Sequence, residues 1–162
     1  MLITLVVANQ KGGVGKTTTA LNLAASLSAA SRKVLLIDLD SQGNSTSGTG
    51  EEKNEASHSL IDILLNEGFP IEKAIEQTKY KFDLIPASVD LISAEIELGS
   101  LPNPTSLLKN KLSNMQASYD YVVIDCPPSL GMISVSALRA ASKVLIPLQC
   151  EYYSLEGLAS MS

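Results

Sequence analysis

The 162-residue sequence has no apolar run long enough to cross a bilayer and no signal-peptide pattern, because Lys11 and the glycines after it interrupt the run Leu2 to Ala8 after seven residues. A soluble, cytosolic protein is expected. Cysteine is scarce: Cys126 and Cys150 lack the paired spacing of a structural metal site. Both are expected at strand ends as small, buried, reduced hydrophobes. Basic charge is scarce as well. The formal net charge is -5, and residues 51 to 100 hold Lys53, Lys73, Lys79 and Lys81 against eleven acidic residues, so this stretch is not a DNA-binding surface. The first strand begins almost at Met1, and no DNA-reading domain is expected ahead of it. His58 is given no role, and Tyr152 and Tyr153 are expected to pack rather than to stack on bases. With 45% apolar residues the chain suffices for one domain with a core.

Glycine, by contrast, is concentrated where it matters. Residues 9 to 19 read Asn-Gln-Lys-Gly-Gly-Val-Gly-Lys-Thr-Thr-Thr, directly after an apolar strand. Gly12, Gly13 and Gly15 let successive backbone N–H groups converge on a polyphosphate, and the helix that follows favours negative charge at its N-terminus. The binding loop is therefore expected to comprise Lys11, Gly12, Gly13, Val14, Gly15, Lys16, Thr17 and Thr18. Lys16 is placed to meet the β and γ phosphates, and the Thr17 hydroxyl can ligate Mg²⁺. Gln10 stands where the common G-x-x-x-x-G-K-[ST] loop has its first glycine, so the pattern is instead K-G-G-x-G-K-T-T, with Lys11 as a second lysine.

Apolar strands alternate with helical patterns along the chain. Strands are expected at 2–8, 34–38, 82–86, 121–125 and 143–148, and helices at 16–30, 59–67, 71–77, 88–99, 104–117 and 130–141. Leu23 and Leu27 are expected to mark the apolar face of the first helix, with alanines over much of the rest. Residues 41 to 59, rich in Ser, Thr, Asn, Gly and Glu, read as an exposed, mobile loop. Leu155, Leu158 and Met161 begin a helical pattern that stops without a cap or breaker, from which a truncated protein is expected. The whole predicts an α/β fold, a mostly parallel sheet with helices on both faces, with ligands at the carboxyl ends of the strands.

Three segments carry a family resemblance: Lys11 to Thr18, then Leu35-Leu36-Ile37-Asp38-Leu39-Asp40-Ser41-Gln42-Gly43-Asn44, then Tyr121-Val122-Val123-Ile124-Asp125-Cys126-Pro127-Pro128. The sequence resembles the deviant-Walker P-loop ATPases, which include the ParA/Soj partitioning proteins and the MinD cell-division positioning proteins. The wording Asp-Leu-Asp-x-Gln-Gly-Asn resembles the ParA/Soj branch. Ser41 stands where many relatives of that type carry proline, a change expected to alter loop stiffness more than chemistry. The resemblance implies that residues 1–162 are the N-terminal portion of one P-loop ATPase domain whose later segments carry the adenine and DNA contacts.

It also implies roles for the carboxylates. The position of Asp40 is the one tied to hydrolysis, and Asp38 lies closer to the metal and the fold. The two are expected on opposite strand faces and in different parts. Asp125, after the apolar strand of a Walker B element, can hold a magnesium-bound water, and the residues after Pro127 and Pro128 can sense the γ-phosphate. Catalysis of phosphoryl transfer is mostly charge neutralisation and placement of water. Lys16 and Mg²⁺ serve the first, and Asp40 orients the water rather than removing its proton early, since an aspartate carboxylate is a weak base towards water. Lys11 sits on the outer lip of the loop, poorly directed towards its own nucleotide. The resemblance implies a homodimer that sandwiches two ATP molecules, each Lys11 acting on the other subunit's nucleotide. It implies further a cytoplasmic, nucleoid-associated switch for DNA partitioning, with ATP-driven association with DNA without sequence preference, hydrolysis stimulated by a ParB-type partner, and no membrane. A MinD-like membrane-associated positioner is the alternative. A metal-cluster carrier, as in nitrogenase iron proteins, lacks an adequate cysteine set here.

Overall fold

A computed structural model describes residues 1–51, 59–66 and 68–150. Their strands form one sheet. In chain order these strands are β1 (Ile3–Val7), β2 (Val34–Asp38), β3 (Glu76–Gln77), β4 (Asp83–Ile85), β5 (Tyr121–Asp125) and β6 (Lys143–Leu145). The spatial order is β3-β4-β2-β5-β1-β6, parallel throughout except for the antiparallel β3–β4 edge. β2 is buried at every position because parallel strands in the middle of such a sheet are covered on both faces.

Alternation along each strand sorts the core into two layers. Val7, Val34, Leu36, Leu84 and Val123 pack on one face with Ala20 and Ala24 of helix α1 (Lys16–Ala29). On the other face Val6, Leu35, Ile37, Ile85, Val122 and Ile124 join the buried residues of α3 (Leu60–Leu65), α4 (Leu91–Gly99), α5 (Leu107–Ser113) and α6 (Met132–Ala140). The α1 face is not led by leucine as expected. Its buried stripe is Lys16, Ala20, Ala24 and Ser28, while Leu23 and Leu27 flank it half-buried. Small side chains let the helix lie close on the strands.

Other elements depart from the sequence expectation for local reasons. The helix expected at 71–77 is one 3₁₀ turn, Ile71–Ala74, after which β3 forms a hairpin with β4. Thr78 closes that hairpin, its Oγ1 donating to the Phe82 carbonyl at 2.6 Å. The helix expected at 104–117 is a 3₁₀ turn, Pro104–Ser106, followed by α5, and beyond it the Gln116 and Ala117 amides are taken by the Glu72 carboxylate. β6 stops before Pro147, which cannot donate to a ladder. Within the segment read as an exposed loop, residues 44–48 form helix α2 (Asn44–Gly48), in which Ser45 and Thr46 are fully buried. Residues 52–58 of that segment, and with them His58, lie outside the described residues, as do Tyr152, Tyr153 and the pattern from Leu155 to Met161. Among the described residues no helix is long and apolar enough to cross a membrane.

Candidate nucleotide site

The glycine loop leaves β1 at the carboxyl edge of the sheet. Asn9, almost fully buried, clips its entry: the side-chain amide donates to the Pro147 carbonyl at 2.9 Å, and its oxygen accepts the Lys11 amide at 2.9 Å. Gly13 and Gly15 then adopt φ of +74° and +89°, conformations in which a side chain is strained. A Cβ added at Gly12, Gly13 or Gly15 would meet nothing within 4 Å, so the side chains these glycines lack leave open space along the loop. Gln149, from the chain after β6, donates to the Gly13 carbonyl at 3.1 Å.

Helix α1 starts at Lys16 with Gly15 as a side-chain-free cap, which leaves its first amides available to an anion. Lys16 is only 8% exposed, and its ammonium donates to the Lys11 carbonyl at 2.9 Å, across the mouth of the loop. Lys11 is half-buried, with its backbone tied at both the amide and the carbonyl. Val14 is buried, and Thr18 lies exposed on the first turn of the helix.

Two carboxylates close the site from the neighbouring strands. Asp125 ends β5, between β1 and β2, and its Oδ2 accepts from Thr17 Oγ1 at 2.8 Å and Ser45 Oγ at 2.7 Å. Its Oδ1 is buried and has no hydrogen-bond partner among the described residues. Burial raises the Asp125 pKa, and the Asp40 charge adds to this, against the opposing effects of Ser45, Thr17 and Lys16. A hydroxyl beside an unpartnered carboxylate oxygen fits a hard cation such as Mg²⁺, which takes few protein ligands and keeps several waters. Asp38 is fully buried and differently used. Its Oδ2 accepts from the Thr46 amide and hydroxyl, both at 2.8 Å, and its Oδ1 from the Asp40 amide at 3.1 Å. Burial pushes its pKa up to about 6, with the Asp125 charge contributing and the Thr46 bonds opposing.

Asp40 is half-buried at the edge of the site, where its Oδ1 accepts the Gln42 amide at 2.9 Å and its carbonyl accepts the Gly43 amide at 2.8 Å. The expectation that Asp38 and Asp40 take opposite strand faces fails, because alternate residues share a face. They diverge because β2 ends at Asp38 and the chain turns away through Asp40 to Gly43. Cys126 is buried, and burial together with the Asp125 charge pushes its thiol up to about 12, which makes it inert. Cys150 is exposed, contrary to its expected burial.

Residues 3–162 match the family described as AAA domain. The chromosome partitioning protein ParA of Myxococcus xanthus is 48% identical over 159 residues, 98% of this chain and 56% of that protein. The sporulation initiation inhibitor protein Soj of Bacillus subtilis is 46% identical over 157 residues, 97% of this chain and 62% of that protein. The chain belongs to the AAA-domain family, as a member of its ParA/Soj type. It spans roughly three fifths of the length of these relatives.

Solved structures with bound nucleotide analogues share this fold. A plasmid partition protein from Borrelia burgdorferi bound to AMPPNP superposes with a TM-score of 0.89 at 33% identity, covering 99% of this chain and 67% of that one. A cobyrinic acid a,c-diamide synthase from Mycobacterium smegmatis, with bound ATP analog and magnesium, gives 0.92 at 38% identity, covering 99% and 66%. The P-loop NTPase fold expected from the sequence is thus the fold observed.

The structure brings Lys16, Thr17 and Asp125 together and sets Asp40 at their edge. Asn9, Ser45, Thr46 and Gln149 are the site residues that sequence reasoning passed over. For Ser45 and Thr46 a signal existed: two hydroxyl side chains a few residues after a pair of aspartates that end a buried strand. Asn9 and Gln149 gave none, since their contacts join β1 to the chain after β6.

Proposed function

We propose that this chain is the N-terminal portion of a single P-loop ATPase domain, in a cytoplasmic, nucleoid-associated switch that partitions DNA. The best support is one contact at the glycine loop, the 2.8 Å bond from Thr17 Oγ1 to Asp125 Oδ2, beside an Asp125 Oδ1 that has no donor among the described residues. In this reading the loop amides and Lys16 hold the ATP phosphates. Thr17 and Asp125, with Asp38 supporting them through the fold, would hold a bound Mg²⁺, which would neutralise phosphate charge. Asp40 orients the attacking water. Two subunits enclose two ATP molecules, Lys11 of each serving the other's nucleotide, and the dimer associates with DNA without sequence preference through regions mostly outside this chain. A ParB-type centromere-binding protein stimulates hydrolysis. The names of the relatives favour partitioning over membrane positioning.

Lys16→Ala tests the foundation of this reading. In the intact protein it should abolish ATP binding or turnover, measured by a fluorescent ATP analogue and by phosphate release. Wild-type affinity and rate in that variant would refute the phosphate-loop assignment.

A further inference from the structure

Ser45 is fully buried, yet it lies in a segment whose composition reads as solvent-exposed connector. Its hydroxyl donates to Asp125 Oδ2 at 2.7 Å, the same oxygen that accepts Thr17 Oγ1. The next residue, Thr46, holds Asp38 in the same manner. Two consecutive residues of α2 therefore pin this short helix to the ends of two adjacent strands, and the turn from Asp40 to Gly43 leads directly into it.

A carboxylate at a strand end is free to rotate about its terminal torsion unless donors fix it. Two hydroxyls on one oxygen fix it here, leaving Oδ1 as an acceptor without a partner among the described residues. Of the two donors, Thr17 belongs to the phosphate loop and is itself a candidate magnesium ligand. Ser45 comes from outside the loop, so its bond does not depend on how nucleotide engages Thr17.

We propose that Ser45 is a positioning residue for the magnesium–nucleotide complex, setting the rotation of the Asp125 carboxylate and tying it to the turn that carries Asp40. The proposal rests on the ATPase reading above. A hydroxyl that merely filled the core would stabilise the fold without affecting the magnesium dependence of binding.

The test measures affinity of the intact protein for a fluorescent ATP analogue, in Mg²⁺ and in EDTA, with folding checked by circular dichroism. Ser45→Ala should weaken binding in Mg²⁺ about fivefold or more and raise the half-saturating Mg²⁺ concentration similarly, while affinity in EDTA stays within about twofold. Asp125→Asn should show the same pattern, and adding Ser45→Ala to it should cause little further loss, because both act through one carboxylate. Unchanged magnesium dependence in a folded Ser45→Ala protein overturns the proposal, as do equal losses in Mg²⁺ and EDTA. If Ser45→Ala does not fold, Ser45→Cys, which keeps the size but donates weakly, is read by the same criteria. Failure of the wild-type protein to bind the analogue would instead sink the ATPase reading, and this proposal with it.

Discussion

Asp38 and Asp125 are register partners at the carboxyl ends of β2 and β5, two buried carboxylates side by side, each held by a hydroxyl from consecutive residues of α2. Their proximity is one reason Asp38 titrates above the ordinary carboxylate range, where the Asp125 charge adds to a larger effect of burial. The same α2 bonds oppose that rise at both sites.

The pH dependence of stability follows. Asp38 has a folded pKa of about 6 against an ordinary value of 3.8, so between these values the fold retains a proton that the unfolded chain has lost. Its contribution to stability therefore falls as pH rises through that window, by at most roughly 3 kcal/mol for a shift of about two units. Urea unfolding in EDTA should show the stability of wild type relative to Asp38→Ala declining from pH 4 to 6.5. A difference that rises with pH would contradict the assignment.

Thr46→Val tests the buried network apart from nucleotide. The Thr46 hydroxyl donates to Asp38 and accepts the Ala87 amide at 2.9 Å, so a methyl in its place leaves that amide without its acceptor and Asp38 with one donor fewer. Loss of about 1–3 kcal/mol is expected by urea denaturation, since the shape is kept and the penalty is that of unsatisfied buried groups. Loss under half a kcal/mol would show that the network contributes little.

Asp40→Ala separates binding from chemistry. Asp40 stands at the edge of the site and makes none of the bonds that hold Asp125 or Lys16. The variant should bind ATP and accumulate as a dimer, with hydrolysis slowed about a hundredfold or more, in line with loss of a group that places the nucleophile. Chromatography with ATP and phosphate release are the measurements. A monomeric variant that hydrolyses normally would remove Asp40 from the mechanism.

Lys11→Ala probes action between subunits. Two triphosphates facing each other across an interface repel, and a lysine from each side offsets that repulsion in a water-poor setting. Affinity of the monomer for ATP should stay nearly intact, while ATP-dependent dimerisation, hydrolysis and DNA association weaken. Sedimentation with ATP decides: equal dimerisation of variant and wild type would reduce Lys11 to a surface lysine.

The sequence by itself determined the sheet and the phosphate loop. Short apolar runs at 34–38 and 121–125, each ending in an aspartate, read as strands covered on both faces, and Gly13 and Gly15 stand where the backbone takes positive φ. These are local properties, set by neighbours in the chain. What only the tertiary structure decided is which polar groups became interior. Ser45 and Thr46 belong to a stretch whose composition reads as solvent-exposed, yet they are buried because two strand-end carboxylates, one of them eighty residues away, need donors. Likewise the buried stripe of α1 runs through alanines rather than leucines, because the closeness of the sheet selects small side chains, and that distance is not written in the helix.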